Sequence, residues 1–308
     1  QKFAILARND NYHSGAPKIQ TLELWEVDEA DALELARSGI LHDTSIFTST
    51  TDIAGSEKMV LTEAPAPSTW LFSFNTAKAP TSNLKLRKCF AQAFKKEEFV
   101  KTYLHGHKVA TGYLPPNLLG YKELKDQHPS QDCREFAGQQ LVLDFPIEIN
   151  DAPKMCQWIS ANHLDFKIKC NLIKFEQVLE RLTAKKSDIS FLSMNLEHPD
   201  VEYFFTAFEK DSAFNLSNYS SKFVEDSIAK ARGTTDRFKR QEIYSQLNQH
   251  IFDQVVTLNI SYPGHRSFRH TCLKGFEINL AGESFIDYGK ISLKSDCAFT
   301  SDFTRAAL

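Results

Sequence analysis

The chain contains no Cys-x-x-Cys, no Gly-x-Ser-x-Gly, no His-Glu-x-x-His and no Walker or dinucleotide glycine pattern. These absences remove the local motifs of zinc ribbons, thioredoxin-type sites, serine hydrolases, zinc proteases and nucleotide-binding enzymes. An enzyme reading therefore has no nucleophile to name, and no cofactor is implied. Positive charge is not in excess either. The 36 Lys and Arg stand against 39 Asp and Glu, a net charge of -3 at pH 7, which argues against a nucleic-acid partner because nothing is left over to neutralise phosphates. Apolar stretches such as Leu141 to Phe145 are far shorter than the ~20 residues that cross a bilayer. No fixed-period repeat or low-complexity tract is present.

What remains is a globular composition. With 308 residues, 42% hydrophobic and 24% charged, the chain predicts one large or two medium domains with a sizeable core. Six cysteines, Cys89, Cys133, Cys156, Cys170, Cys272 and Cys297, are scattered. Buried free thiols are the expectation, with one or two disulfides left open and the compartment undecided. The start is abrupt. Gln1 to Leu6 reads as the inside of a strand, without the charged start, apolar run and cleavage site of a signal peptide, so the natural N-terminus is expected to be missing.

Periodicity supplies the organisation. Thr21 to Val27 reads as a strand, followed by a helix over Ala30 to Arg37 with Asp28 as N-cap and Gly39 as stop. Trp70 to Phe74 reads as a buried strand, and Leu86, Phe90, Ala93, Phe94, Val100 and Leu104 share one face of a long helix ending before Gly106. The most regular stretch runs from Leu141 to Met194. Apolar strands at Leu141–Ile149, around Phe166–Cys170 and at Ile189–Met194 alternate with helices striped by Met155, Trp158 and Ile159 and by Phe175, Val178, Leu179 and Leu182. This is βαβαβ, and crossovers of that length predict parallel strands with helices packed on the sheet. Helices over Lys222–Arg232 and Asp236–Gln254 and a buried strand over Val255–Ile260 follow.

Several segments together resemble the solute-binding proteins of peptide-type ABC importers. Arg8 to Tyr12 is similar to a strand end of that family, Leu71 to Thr76 to its next buried strand, and Leu86 to Phe94 to the helix after it. Leu114-Pro115-Pro116, Asn215 to Tyr219 and Leu273 to Phe276 are similar to later motifs. The resemblance covers the later part of the family pattern only. It implies an α/β, periplasmic-binding-protein-like fold with one largely complete α/β lobe plus a partial second lobe: residues 1–74 as partial lobe I, 75–260 as lobe II, and 261–308 returning to lobe I. It also implies an extracytoplasmic, periplasmic, monomeric protein that binds a peptide or similar small solute between two lobes and delivers it to an ABC permease in the membrane.

Open α/β sheets bind ligands beyond the carboxyl ends of their strands. The third strand of the βαβαβ unit delivers the run from Asp188 to Asp200 to that edge. In the resembling run, peptide-binding members carry an Asp that pairs with the ligand's α-amino group, and aligned without gaps Glu197 takes its place. A Glu keeps the charge-assisted hydrogen bond to an ammonium feasible; a solvated loop acid is the bland counterpart. Asn195, Met194 and His198 surround it as candidate contacts. Met194 stands where the family has Trp, and Asn195 where it has Gly, which puts the solute's identity in doubt. Phe175 either lines the cleft or belongs to the core stripe with Leu179 and Leu182. Phe74 and Tyr262 lie near the expected lobe crossings, where hinge or packing roles are expected ahead of direct ligand contact for both.

His105-Gly106-His107 offers two metal ligands without a third, which reads as a loop. Lys230, Arg232, Arg237, Lys239 and Arg240 form a basic run, either a solvated face or a docking surface for an acidic partner. Two other function classes stay open at this point: the sensor domain of a transcriptional regulator, which suits a reducing cytosol, and a degenerate interaction scaffold that binds no solute.

Overall fold

The computed structural model describes residues 2–45, 58–116, 118–124, 130–162, 166–195, 200–277 and 286–295. The chain forms two compact units, Gln1–Ala66 with Gly264–Leu308 and Pro67–Pro263. Among the described residues no helix is long and apolar enough to cross a membrane.

In the smaller unit, β1 (Lys2–Ala7) and β2 (Thr21–Glu26) form an antiparallel ribbon. Helix α1 (Glu29–Arg37) begins after Asp28, which is extended at the N-cap without a side-chain cap bond. It stops as expected at Gly39, whose φ of 76° costs a glycine nothing. Strands β3 (Asp43–Ser45) and β4 (Met59–Pro65) flank the returning β11 (Gly264–His270). A small core of Leu33, Ala36, Met59 and Phe268 sits between helix and sheet. Strands β12 (Leu273–Lys274) and β13 (Ser292–Leu293) pair beyond it.

The larger unit is built on a six-stranded sheet of order β6-β10-β5-β9-β7-β8, comprising β5 (Ser68–Phe74), β6 (Lys108–Val109), β7 (Gln139–Pro146), β8 (Phe166–Ile173), β9 (Ile189–Asn195) and β10 (Thr257–Tyr262). The predicted βαβαβ unit is present: β7 pairs parallel with both β8 and β9, through crossover helices α4 (Ala152–Asn162) and α5 (Phe175–Thr183). From β7 the chain steps outward to β8 and then back across to β9. Right-handed crossovers in opposite directions must use opposite faces of the sheet. Met155 and Ile159 of α4 accordingly join one core cluster and Val178 and Leu182 of α5 the other. Strand β5 adds antiparallel to β9 and β10 to β5, an extension that hydrophobic pattern alone does not order. Because β5 is hydrogen-bonded inside this sheet, residues 67–74, which the sequence placed with the first lobe, belong to the larger unit.

The single long helix expected from Leu86 to Leu104 is two helices, α2 (Leu84–Ala93) and α3 (Lys96–Tyr103). Phe94 turns extended between them, with ψ 116°. Its ring packs 5.2 Å from Phe72, 5.4 Å from Phe99 and 5.9 Å from Trp158, contacts each contributing about 1 kcal/mol beyond burial. No Gly or Pro marks this break, so helical spacing runs straight through it. On the opposite face of the sheet lie α6 (Glu202–Thr206), α7 (Lys222–Arg232) and α8 (Arg237–Asp253). Asp236 caps α8 by accepting from the amides of Phe238 and Lys239 at 2.9 and 3.1 Å, worth about 1 kcal/mol. Gly120, at φ 89°, lets a loop approach that helix so closely that a Cβ would sit 2.5 Å from the Cβ of Tyr244.

The cysteines correct the expectation of free thiols. Cys89 on α2 is bonded to Cys133, and Cys156 on α4 to Cys170 on β8; Cys272 is also disulfide-bonded. The pairs are 44 and 14 residues apart in sequence with Cα atoms 5.6 and 5.7 Å apart. Each joins elements that only the tertiary fold brings together, which is why spacing gave no sign of them.

Candidate functional site

At the carboxyl ends of the parallel strands the larger unit holds a cavity of about 630 Å³, within the size range of small-molecule sites. Its position follows from the topology, since β7 is flanked by crossovers of opposite direction and the loops leaving β7 and β8 diverge there. The walls are apolar: Trp70, Phe191, Ile149 and Phe175. Trp70 meets Phe191 edge to face at 5.7 Å, and Phe191 stacks at 4.5 Å on Phe145, which has no exposure. These contacts fix the back wall. Among the described residues Glu148, Lys174 and Glu176 are the charged lining groups.

Glu148 follows β7 in the loop to α4, and both its carboxylate oxygens accept from the Phe175 N–H, at 3.2 and 3.1 Å. That amide is the first of α5, so a side chain of the protein occupies the place a helix N-terminus offers to anions. Loop and helix start are further tied by the Ile147 N–H donating to the Ile173 carbonyl at 2.9 Å. Phe175, at 43% exposure, is on the cavity wall and outside the core. The core stripe of α5 begins only at Val178, one turn later, because the first helical residue overhangs the sheet edge.

The other candidates scatter. Asn195 is exposed at the end of β9, on the pleat parity of Phe191 and Ser193, and its Oδ1 accepts from Ser68 Oγ at 2.5 Å. Met194 has the opposite parity. It is half-buried against the cluster of Leu71 and Leu192 on the far face, because successive strand side chains alternate between faces. Tyr262, carried as a candidate contact, is 4% exposed and absent from the cavity lining. Its hydroxyl accepts from the amides of Thr111 and Gly112 and donates to the Gly112 carbonyl, and burial pushes its pKa up. It pins the loop before Pro115 and Pro116, which Asn248 also holds by accepting from the Tyr113 and Leu114 amides. Glu197 and His198 lie outside the described residues.

Trp70, Glu148 and Phe191 were not singled out in the sequence. Glu148 had one signal, its place just past the end of the first parallel strand; Trp70 and Phe191 read as ordinary strand residues. His107 stacks edge-on to Trp70 at 4.9 Å and shares a hydrogen bond with Ser261 Oγ at 3.0 Å. Among the described residues no group of three or more His, Cys, Asp or Glu is placed to hold a metal ion. The basic run divides: Arg232 pairs with Glu202 and Glu209, and Arg240 with Asp200.

Three of the six motif segments of the resemblance, those holding Asn75, Arg87 and Asn218, meet at the other end of the sheet. Asn75 donates to the Ser187 and Lys185 carbonyls at 3.1 and 3.4 Å and accepts from Asn218 at 3.3 Å. Thr76 donates its amide to the Ser217 carbonyl at 2.9 Å. Arg87, 3% exposed, spends its guanidinium on the carbonyls of Thr81, Ser82, Gln254 and Val255, and burial lowers its pKa to about 10. Lys78 pairs with Asp188 at 2.7 Å, whose second oxygen accepts the Val142 amide at 2.9 Å.

Comparison with known proteins gives one family. The model described as "Bacterial extracellular solute-binding proteins, family 5 Middle" matches residues 1–215. A probable di/tripeptide-binding protein of Pseudomonas aeruginosa is 22% identical over 96% of this chain and 60% of its own length. The dipeptide-binding protein of Escherichia coli is 26% identical over 66% of this chain and 42% of its own. An ABC transporter substrate-binding protein of Listeria monocytogenes superposes over 95% of this chain and 64% of its own, with TM-score 0.81 at 18% identity. The chain thus spans less than two thirds of the length of these proteins.

Proposed function

Because the chain belongs to the bacterial extracellular solute-binding proteins of family 5, we propose that it captures a short peptide for an ABC importer. The observation that carries this is the cavity at the carboxyl ends of the parallel strands, apolar on its walls and charged at three points. Di- and tripeptides are the solutes named for one of its relatives and dipeptides for another. In this reading the larger unit is the second lobe, the smaller unit contributes to the first, and the protein works as an extracytoplasmic monomer that hands its solute to a membrane permease. It carries no chemistry of its own. Two disulfides and a bonded Cys272 suit an oxidising compartment. They count against the cytosolic regulator.

Glu197 is the proposed partner of the peptide's α-ammonium, two residues beyond Asn195 in the chain. Ligand contacts made by both lobes would exist only in the closed form, so binding and closure are coupled. The test is calorimetry on the full chain with di- and tripeptides. Saturable binding is expected, weakened in Glu197→Gln by about 2–5 kcal/mol, the cost of losing one partner of a buried charge pair. No heat and no thermal stabilisation with any peptide of a mixed pool would overturn the reading in favour of a scaffold. Equal affinities of wild type and variant would remove Glu197 from it.

A further inference from the structure

A helix N-terminus opening into an apolar cavity ordinarily attracts a carboxylate. Here that position is taken. Glu148 accepts the first amide of α5 with both oxygens, so a ligand carboxylate arriving there meets a like charge and finds this donor occupied. Glu176, in the first turn of α5, adds a second carboxylate to the lining. The hydrogen bond orders Glu148 without neutralising it, because the donor is an uncharged amide. Against these two acids the lining holds, among the described residues, one cation, Lys174. The remaining surface includes the rings of Trp70 and Phe175, and aromatic faces attract cations, while Phe191, 1% exposed and stacked on Phe145, only backs the wall. Phe175 leaves 43% of its surface free for that contact.

We infer that this cavity receives a positively charged side chain, Lys or Arg, of the bound peptide, and that Glu148 sets the preference by turning an anion-attracting helix end into a cation-attracting one. The inference rests on the peptide reading above but concerns a different group of the ligand. The α-ammonium is assigned to Glu197, and the side chain to the cavity.

The experiment is calorimetry of the full chain with the tripeptides Ala-X-Ala, where X is Lys, Arg, norleucine or Glu, and separately with agmatine and cadaverine, which carry the cation without a peptide. Lys and Arg peptides are expected to bind about tenfold tighter than norleucine, the effect of a desolvated cation–aromatic contact with a nearby carboxylate, and the Glu peptide weakest. In Glu148→Gln the Lys and Arg advantage falls severalfold, while the norleucine peptide binds as before. The carboxamide oxygen of that variant can still accept from the Phe175 amide, and an unchanged melting temperature checks that the loop is intact. Norleucine binding as tightly as Lys and Arg, or the Glu peptide binding tightest, overturns the inference and leaves the peptide reading standing. Agmatine binding that Glu148→Gln abolishes, with no tripeptide bound, overturns the peptide reading and with it the assignment of the cation to a peptide side chain. No binding of either kind overturns both.

Discussion

The two ends of the six-stranded sheet do different work. At the end where β5 finishes and β9 begins, polar side chains are buried and consumed: Asn75, Arg87 and Asp188 are 3%, 3% and 6% exposed, and their hydrogen bonds go mostly to main-chain carbonyls and amides. At the end where β7, β8 and β9 finish, Glu148, Lys174, Phe175 and Glu176 stay exposed around a cavity. Three motif segments meet at the first end, where a carbonyl held by a buried side chain tolerates little change. At the second end Lys174, Phe175 and Glu176 stand exposed outside the core, so substitutions there disturb the fold less. Resemblance therefore identifies the scaffold better than the specificity.

The sharpest way to break this contrast is Arg87→Met. Four carbonyls lose their donor in a buried site, and a loss of about 3–5 kcal/mol in unfolding free energy is expected by denaturant titration. A loss under about 1 kcal/mol would show that water replaces the guanidinium and that this end is not the rigid one. Reduction of Cys89–Cys133 comes next. Opening a loop of 44 residues releases chain entropy worth about 4 kcal/mol, and the 14-residue loop of Cys156–Cys170 about 3 kcal/mol. Because reductant also opens the bond at Cys272, melting of the Cys89→Ser/Cys133→Ser variant beside a Cys156→Ser/Cys170→Ser variant, both without reductant, separates the two. At the cavity end the signs reverse. Phe175→Ala should leave stability within about 0.5 kcal/mol, since the ring is outside the core, while peptide affinity falls about tenfold. A large fall in melting temperature instead would return Phe175 to the core stripe.

The sequence and the structure agree where periodicity is local and complete. β7, α4, β8, α5 and β9 were legible because each strand and helix shows its own period and the crossover rules then order the three strands. Three features were not legible, each for a physical reason. The break at Phe94 is imposed by aromatic packing rather than by a helix breaker. Disulfide pairing depends on Cα distances across the fold. The placement of β5 and β10 depends on antiparallel partners far along the chain, as in Trp70 opposite both Ser193 and Ser261. Of the candidate site, the strand end was legible but the occupants were not: Phe175 reaches the cavity, while Met194 and Tyr262 pack elsewhere, since pleat parity and burial decide orientation and neither is fixed by a motif.

The smallest effect sharpens the comparison through pH. His250 on α8 shares hydrogen bonds with Tyr219 at 2.9 Å and Ser221 at 3.4 Å, and so belongs to the pinned end. Burial lowers its pKa below the ordinary 6.5, with Asp253 opposing weakly. The folded protein thus binds a proton at this ring less readily than the unfolded chain, so the unfolded state takes up more protons and stability drops as pH falls below about 6.5. Partial exposure keeps the contribution small. His42 and His270 in the smaller unit are lowered in the same direction by burial, so wild-type melting between about pH 7 and pH 5 reports all three. The difference between wild type and His250→Gln isolates one: the variant's profile should be shallower by that fraction, with ligand-free stability at about pH 7.5 nearly unchanged. A steeper acid loss in the variant would mean that the imidazolium is stabilised at this site, and the pinned end would then owe part of its rigidity to a charge.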